Sequence, residues 1–345
     1  MYEDFYQLNG KPFALSPDPR FFYASKGHSR AMAYLEYGVQ REEGFIVITG
    51  EVGAGKTTLV RGLFETLGSR PLKAAQLVST QLDAEGLLRS VCLAFGLDDV
   101  PDSKAAQLRK LEQFLLATRT RGQRALLVVD EAQNLATDAV EELRMLSNFQ
   151  GDEGPLLQSF LLGQPEFRGI LRSENMQQLR QRVIATYHLG PMDAADTRAY
   201  VEHRLSRVGW RQDPAFTDAA WPLIHDYSGG IPRRINTLCD RLLLMGFLEE
   251  RHTLGDEQVR TVIEELEEDF GSELDEPPLQ QADPATRDPA TEDRLGRIED
   301  AIRALDQRLL RLERSTLGNL RLSSRILRAI GEPSEPPVRA GHRNP

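Results

Sequence analysis

A glycine-rich segment in the first part of the chain has the residues and spacing to bind phosphate. Residues 50–57 read Gly-Glu-Val-Gly-Ala-Gly-Lys-Thr and fit the pattern GxxxxGK followed by Ser or Thr. They follow the apolar run Phe45–Thr49 and precede a helical pattern, the context that such a loop requires. Glycines let backbone N–H groups converge on phosphate oxygens, and the helix N-terminus favours negative charge. We expect Lys56 to reach the β- and γ-phosphates and the Thr57 hydroxyl to bind Mg²⁺.

Two adjacent acids at the end of another apolar run supply the second half of the predicted site. Asp130 and Glu131 directly follow Ala125–Val129. Asp130 would hold Mg²⁺ through water, and Glu131 would polarise the water that attacks the γ-phosphate. The sequence therefore predicts an enzyme that binds and hydrolyses a nucleoside triphosphate. The predicted nucleotide-binding residues are Gly50, Glu51, Val52, Gly53, Ala54, Gly55, Lys56, Thr57, Thr58 and Asp130.

Composition and charge limit the class of protein. The chain has 345 residues, of which 40% are hydrophobic, and a formal net charge of −10 that lies mostly in residues 256–291. The length suits about two domains, and an acidic protein is a poor candidate for binding nucleic acid mainly by charge. Cys92 and Cys239 are too few for a disulfide framework and lie in apolar helical patterns. We therefore expect buried, unpaired thiols in a reducing compartment.

The sequence pattern offers neither an export signal nor a membrane span. The stretch Met1–Gly10 contains Glu3 and Asp4 and lacks the apolar core of a signal peptide. The apolar runs Phe45–Thr49 and Ala125–Val129 are far shorter than the ~20 residues that cross a bilayer. We expect a cytoplasmic protein that reaches the inner face of a membrane through partners.

Strand-like and helix-like patterns alternate through residues 1–190, and only helical patterns follow in residues 191–270. Short apolar runs indicate strands that are buried on both faces of a parallel sheet. The prediction is an α/β domain followed by a small all-helical domain. The predicted strands are Phe45–Thr49, Leu72–Ser79, Ala125–Val129, Gln158–Leu162 and Val183–Leu189. The predicted helices are Thr57–Leu67, Asp83–Phe95, Ser103–Thr118, Asp138–Phe149, Asp193–Val208, Thr217–Tyr227, Pro232–Glu250 and Gly255–Asp269.

The composition changes again beyond residue 270. Residues 271–291 are acidic and rich in proline, which predicts a flexible linker, and residues 331–345 are expected to be disordered. Residues 292–330 have apolar side chains spaced three and four apart, typical of a coiled-coil helix. This helix would pair in parallel with a second copy or a helical partner, or fold onto the helical domain as a single amphipathic helix. Its apolar positions are Leu295, Ile298, Ile302, Leu305, Leu309 and Leu312.

Further stretches have a pattern known from one family of proteins. They are Phe5–Leu8, Pro12-Phe13, Pro17–Tyr23, Gly44–Glu51 and Ala75–Asp83. The phosphate-binding loop of residues 50–57, the P-loop, and Asp130-Glu131-Ala132-Gln133 belong to the same pattern. Together these stretches make residues 1–268 resemble the AAA+ ATPases, and within them the general secretion pathway protein A group. Gly44–Glu51 and Ala75–Asp83 look most like the ATPase found with PEP-CTERM/exosortase and exopolysaccharide loci. The resemblance implies a P-loop NTPase parallel-sheet domain, a helical lid, and ATP with Mg²⁺ as cofactors.

The resemblance also implies roles for residues outside the phosphate loop. Gln164 would be sensor 1, a position where many AAA+ proteins have Asn or Thr. Arg233, in Gly230-Ile231-Pro232-Arg233, would be sensor 2 and bond the γ-phosphate. Arg182, which fits better than the other candidate, Arg180, would be the arginine finger that acts on the ATP of a neighbouring subunit. His28 would either approach the nucleotide base or stand in the first turn of a helix.

The function that the resemblance implies couples ATP binding and hydrolysis to the conformation of a homo-oligomer, either a ring or a dimer. The process it would serve is export of envelope exopolysaccharide or exosortase-linked protein sorting, with membrane-associated export machinery as a partner. Two alternatives stay open: a DNA-transaction regulator of the transposition type, and a nucleotide-switch scaffold with little turnover. The charge of residues 1–255 is close to neutral, which disfavours the DNA-binding alternative.

Overall fold

A parallel β-sheet lies at the centre of the larger part of the molecule. The structure, a computed structural model, describes residues 1–16, 18–67, 71–78, 81–152 and 154–274. Within these ranges a sheet of five parallel strands has the order β2-β3-β6-β1-β7, and the remaining strands form short pairs, β4 with β5 and β8 with β9. The strands are β1 (Phe45–Gly50), β2 (Leu72–Val78), β3 (Arg124–Asp130), β4 (Gln150–Gly151), β5 (Gly154–Pro155), β6 (Leu157–Gly163), β7 (Val183–Leu189), β8 (Ala215–Phe216) and β9 (Thr253–Leu254).

Helices cover both faces of the sheet and then form a separate layer of their own. The helices in the described ranges are α1 (Tyr2–Phe5), α2 (Lys26–Arg41), α3 (Lys56–Leu67), α4 (Ala84–Ala94), α5 (Lys104–Thr120), α6 (Thr137–Leu146), α7 (Glu166–Arg172), α8 (Gln177–Arg180), α9 (Ala194–Arg207), α10 (Ala220–Ser228), α11 (Pro232–Leu248) and α12 (Asp256–Leu274). We call the part from α9 to α12 the lid. None of the described helices is long and apolar enough to cross a membrane.

The strand residues alternate between two hydrophobic clusters on opposite faces of the sheet. Phe45 and Val47 pack in the cluster that contains α4, α5 and α6, whereas Ile46 and Ile48 pack in the one that contains α2 and α3. Successive side chains of a strand point to opposite faces, so a strand buried on both faces must be apolar throughout. The α/β prediction is therefore confirmed, and the five predicted strands are present with ends that differ by one residue at most.

The first residues of the chain pack with the lid rather than with the sheet. Tyr2, Tyr6 and Phe13 belong to the hydrophobic cluster that α9, α10 and α11 form. The Tyr2 hydroxyl also donates to Oδ1 of Asp240 in α11 at 2.6 Å. The predicted domain of residues 1–190 thus begins with a segment whose core contacts lie in the following domain. No apolar period marks this segment, so its partner could not be inferred from local pattern.

Several helix ends differ from the predicted ones. The helix predicted for Asp138–Phe149 ends at Leu146, and the one predicted to begin at Thr217 begins at Ala220. The last lid helix continues to Leu274, four residues into the range predicted as a linker. The rest of that linker, the helix of residues 292–330 and the tail of residues 331–345 lie outside the described residues. Cys92 and Cys239 are buried free thiols, as predicted.

Candidate nucleotide-binding site

A cavity of about 320 Å³ lies where the P-loop, the lid and the residues that precede α2 meet. We call these residues, 1–16 and 18–25, the N-terminal segment. The P-loop, residues 50–57, leaves the carboxyl end of β1 and runs into α3. Gly53 and Gly55 have φ angles of +80° and +96°, which side-chain-bearing residues rarely adopt, so the loop needs glycine at both positions. The loop residues that line the cavity are Val52, Gly53, Gly55, Lys56, Thr57 and Thr58. Among the described residues, Gly50, Glu51, Ala54 and Asp130 lie beside this lining and not in it.

The Lys56 side chain is buried beneath the loop. Its ammonium donates to the carbonyl oxygen of Gly50 at 2.7 Å and to that of Glu51 at 3.1 Å. Burial lowers the pKa of Lys56, and the carboxylates of Glu131 and Asp130 oppose that shift. The P-loop thus holds a cation at the cavity wall, where it can pair with phosphate oxygens.

Thr57 and Asp130 meet although 73 residues separate them along the chain. The Thr57 hydroxyl donates to Oδ2 of Asp130 at 2.7 Å. Hydroxyl and carboxylate oxygens suit Mg²⁺, which in nucleotide sites takes one or two carboxylates together with phosphates and waters. These two residues therefore fit a Mg²⁺ ion that binds with a nucleotide. In the described part of the chain, no group of three or more His, Cys, Asp or Glu is placed to hold a metal.

The Glu131 carboxylate lines the cavity and is held by two glutamines. Its Oε2 accepts a hydrogen bond from Nε2 of Gln133 at 2.6 Å and one from Nε2 of Gln164 at 3.1 Å. Desolvation would raise the pKa of Glu131, but these hydrogen bonds and the charge of Lys56 outweigh it, and the pKa is lowered. Gln164 stands just after β6, beside Glu131, where a sensor 1 residue is expected. The contact of Gln133 was not foreseen from the sequence.

The lid reaches the P-loop through the first turn of α11. The backbone N–H of Arg233 donates to the carbonyl oxygen of Gly53 at 3.2 Å. A Cβ atom on Gly53 would lie only 2.3 Å from Cβ of Arg233, so glycine is also what allows this contact. The exposed Arg233 side chain lines the cavity, and its role as sensor 2 stays a prediction.

Buried polar side chains of the lid form a cavity wall that the sequence patterns did not reveal. Nη1 of Arg204 donates to the Tyr200 hydroxyl at 2.8 Å, and that hydroxyl donates to Oδ1 of Asn236 at 2.9 Å. Nη2 of Arg204 donates to the carbonyl oxygen of Ala14, and its guanidinium lies 4.7 Å from the ring centroid of Phe21. The lid therefore holds the N-terminal segment beside the cavity. Arg204 stands at the helical spacing of the buried residues Tyr200, Val201 and Leu205, and a charged residue at such a position was the one signal in the sequence.

His28 contacts the P-loop from α2. Its Nε2 lies 3.0 Å from the carbonyl oxygen of Ala54, and its Nδ1 lies 2.8 Å from Oγ of Ser25, the residue that caps α2. Burial lowers the pKa of His28, although the hydrogen bond to Ala54 opposes that shift. His28 thus stands in a first helical turn and also lines the cavity, and contact with a base stays a prediction.

Neither candidate for the arginine finger is among the described residues that line the cavity. Nη1 of Arg182 donates to the carbonyl oxygen of Ser147 at 3.1 Å, and Nη2 donates to Oδ1 of Asn148. Nη1 of Arg180 donates to the carbonyl oxygens of Leu171 and Ser173, each at 2.7 Å. Both side chains are thus bonded within their own chain, and the choice between them stays open.

Comparisons with known proteins agree with this architecture. Residues 39–171 match the family model described as AAA domain. The chain is 42% identical to general secretion pathway protein A of Aeromonas hydrophila over 258 residues, 74% of this chain and 46% of that protein. It is 27% identical to the Mu-like prophage FluMu DNA transposition protein B of Haemophilus influenzae over 155 residues, 45% of this chain and 52% of that protein. The chain therefore spans about half the length of the curated relatives it matches.

Solved structures share the fold at low sequence identity. The structure of the Aeropyrum pernix ORC2 protein in ADPNP-ADP complexes has a TM-score of 0.58 and 18% identity, covering 74% of this chain and 72% of that one. At this identity the likeness concerns the fold alone. It confirms the predicted P-loop AAA fold, a parallel sheet with flanking helices.

Proposed function

This chain carries an AAA domain on a P-loop fold, and on that premise we propose that it binds ATP with Mg²⁺ and hydrolyses it. The observation that carries the proposal is the arrangement around one cavity of groups from three separate strand ends. Lys56, after β1, and Glu131, after β3, line the cavity. Asp130 ends β3 and bonds Thr57, and Gln164, after β6, bonds Glu131. A cation, a metal-binding pair and a water-orienting carboxylate are the parts that phosphoryl transfer requires.

The chemistry follows from these positions. A water oxygen forms a bond to the γ-phosphorus, and the bond from that phosphorus to its bridging oxygen breaks, leaving ADP and phosphate. Glu131 orients the water and accepts a hydrogen bond or the proton from it. Lys56 and Arg233 pair with phosphate oxygens. Mg²⁺, bound through Thr57 and Asp130, would neutralise charge on the β- and γ-phosphates.

We further propose that the nucleotide state sets the lid angle and, through it, the conformation of a homo-oligomer. Arg233 both lines the cavity and holds the lid to Gly53, so a bond from Arg233 to the γ-phosphate would be lost on hydrolysis. Arg182 or Arg180 of a neighbouring subunit would complete the site. Because such an arginine is worth ~10³–10⁵ in rate, an isolated subunit would hydrolyse ATP slowly.

The process served is, in our proposal, secretion at the cell envelope. Support comes from the identity with general secretion pathway protein A. The finer assignment, exopolysaccharide export or exosortase-linked sorting at the inner face of a membrane, rests on the stretches Gly44–Glu51 and Ala75–Asp83. Glu131→Gln, which should retain ATP, is the bait for co-purifying the partner from the native host. Recovery of only DNA-processing proteins would contradict this assignment.

The test of ATP hydrolysis compares Glu131→Gln with the wild-type chain in a phosphate-release assay. The amide cannot accept the water's proton, so we expect ATP binding to persist and turnover to fall by about 10²–10⁴-fold. Glu264→Gln changes an exposed carboxylate of α12 and is the matched control, with turnover unchanged. Undiminished hydrolysis by Glu131→Gln would remove Glu131 from this role. A wild-type chain that binds ATP without turnover, alone or assembled, would favour the switch scaffold.

A second candidate function is ATP-dependent binding of DNA. The observation in its favour is the 27% identity with a DNA transposition protein. We would expect a shift of duplex DNA that requires ATP and weakens steeply with salt, because counterions are released from the duplex. Absence of any shift at low salt with the Glu131→Gln variant would exclude this function.

A further inference from the structure

We propose that Gln133 is a positioning residue for hydrolysis, acting through Glu131. The inference rests on the proposed ATPase function, because it concerns how the water-orienting carboxylate is held. Gln133 touches Glu131 and Gln164, and among the described residues it is not part of the cavity lining. Its effect must therefore pass through its neighbours.

Gln133, Glu131 and Gln164 are joined by a closed set of three hydrogen bonds, two of which involve Gln133. Its Nε2 donates to Oε2 of Glu131 at 2.6 Å, and its Oε1 accepts the backbone N–H of Gln164 at 3.0 Å. The Nε2 of Gln164 donates to the same Oε2 of Glu131 at 3.1 Å. Both polar ends of the Gln133 amide are thus used, and the ends of β3 and β6 are joined through it.

The backbone makes Gln133 available for this contact. Glu131 has φ of 52° and ψ of 43°, a left-handed conformation that is unfavourable for a residue with a side chain. A 3₁₀ turn, Ala132–Asn134, follows at once and brings Gln133 back to the Glu131 carboxylate. Such strain persists only where surrounding contacts hold it, and the two glutamine bonds are contacts of that kind.

The arrangement fixes one carboxylate oxygen and leaves the other for the reaction. Both amide donors meet Oε2, and no described residue donates a hydrogen bond to Oε1 of Glu131. The carboxylate is therefore fixed in rotation while Oε1 remains available to a water molecule. Removing Gln133 loses the shorter of the two bonds to Oε2 and also releases the backbone of Gln164. We therefore expect removal of the Gln133 side-chain amide to lower the rate of hydrolysis more than removal of the Gln164 side-chain amide.

The experiment measures steady-state and single-turnover hydrolysis together with the Kd for ATP in Gln133→Met. Methionine has nearly the same length and lacks the amide. Gln133→Met loses a hydrogen bond to a charged group, and we therefore expect its kcat to fall by about 10- to 100-fold. Its Kd for ATP should be unchanged. Gln164→Met should give a smaller fall. Gln40→Met, an exposed glutamine at the end of α2, is the matched control and should match the wild type.

Combining Gln133→Met with Glu131→Gln tests whether Gln133 positions Glu131 or has only a structural role. In the Glu131→Gln background, Gln133→Met should cause no further loss of single-turnover rate, because the group that it positions is gone. An unchanged kcat, a fall in ATP affinity that matches the fall in kcat, or an equal loss in the Glu131→Gln background would each overturn the inference. Gln133→Ala, subject to the same criteria, replaces the Met variant if that variant does not fold.

The outcomes also distinguish failure of the inference from failure of the proposed function. If the wild-type chain hydrolyses ATP, Glu131→Gln does not, and Gln133→Met retains full kcat, only the inference is wrong. If neither the wild-type chain nor its assembled form hydrolyses ATP, the proposed function is wrong, and the inference falls with it.

Discussion

At the scale of single residues, the Lys56 side chain bonds the backbone of the P-loop and is also expected to bind phosphate oxygens. Its ammonium is buried, yet it lies against two backbone carbonyls and near Asp130 and Glu131. The backbone carbonyls satisfy the buried ammonium in the absence of a ligand, and phosphate oxygens would give it a further partner. We therefore expect Lys56 to be needed for nucleotide binding and not for the chemical step alone.

Replacing Lys56 with alanine should abolish nucleotide binding. Losing one partner of a charge-paired contact in a partly buried site lowers affinity by at least about 100-fold. Titration with a fluorescent ATP analogue gives the measurement. Lys73→Ala removes an exposed lysine from the edge strand β2 and should leave affinity as it is. Normal affinity in Lys56→Ala would contradict the P-loop assignment.

The site residues that could be predicted from the sequence are those whose chemistry is local. The P-loop and the pair Asp130-Glu131 stand next to apolar runs, so spacing alone indicates them. Gln133 and Arg204 were missed because their partners are defined only by the fold. The Arg204 side chain bonds Ala14, 190 residues away along the chain. Propensity and periodicity carry no information on contacts at such separations.

At the scale of elements, the contact between the P-loop and α11 depends on the absence of a side chain at position 53. The first turn of α11 comes so close to Gly53 that a Cβ there would overlap Cβ of Arg233. The φ of +80° at this glycine adds a second reason against any other residue. Loop and lid are thus fitted to each other at one glycine.

Gly53→Ala should displace the lid and weaken ATP binding by about tenfold or more, since both the loop backbone and the Arg233 contact are disturbed. Hydrogen exchange at the start of α11, with the Kd for ATP, provides the check. Gly169→Ala in α7, where an added Cβ meets nothing within 4 Å, is the control and should leave both unchanged. Unaltered protection of α11 would show that the contact does not hold the lid.

Strand positions were predictable and helix ends were less so, for a physical reason. A strand buried on both faces must be apolar from end to end, so the two ends of the apolar run in the sequence mark the ends of the strand. The end of a helix depends instead on capping and on tertiary contacts, which the local pattern does not contain. Helix α6 stops at Leu146, three residues before the predicted end, and α12 continues five residues past its predicted end at Asp269, to Leu274. Helix α2 had a usable signal in Ser25, whose side chain accepts the N–H of His28.

At the scale of the whole molecule, the N-terminal segment belongs by its packing to the lid. Phe13 is 1% exposed and packs in the lid cluster, and the Tyr6 hydroxyl donates to the carbonyl oxygen of Arg251 at 2.9 Å. The lid core is therefore completed by the opposite end of the described chain. Its stability should depend on residues far from it in sequence.

Phe13→Ala should destabilise the lid in preference to the sheet. Truncating a buried phenylalanine costs about 3–5 kcal/mol, and the cavity would open in the cluster of α9 to α11. Hydrogen exchange should rise in those helices while β1 and β3 stay protected. An equal rise in the central strands would mean that the cluster does not form a separate unit.

Deleting residues 292–345 tests the predicted coiled-coil helix, which lies outside the described residues. We expect the truncated chain to bind ATP as before, because the cavity is built from residues 14–236. Its sedimentation should indicate a smaller assembly, since the apolar seam that would pair the copies is gone. A truncated protein of unchanged assembly size would contradict a role for this helix in association.

The chain passes between sheet and lid more than once, and two of these passages meet at one spot. Residues 18–25 lead from the lid cluster to α2, and residues 190–193 lead from β7 to α9. Lys26 Nζ and Asp193 Oδ2, 2.8 Å apart, join the two passages. The two connections between sheet and lid are therefore neighbours at this exposed ion pair, while the contact of Arg233 with Gly53 joins lid and P-loop at a separate point.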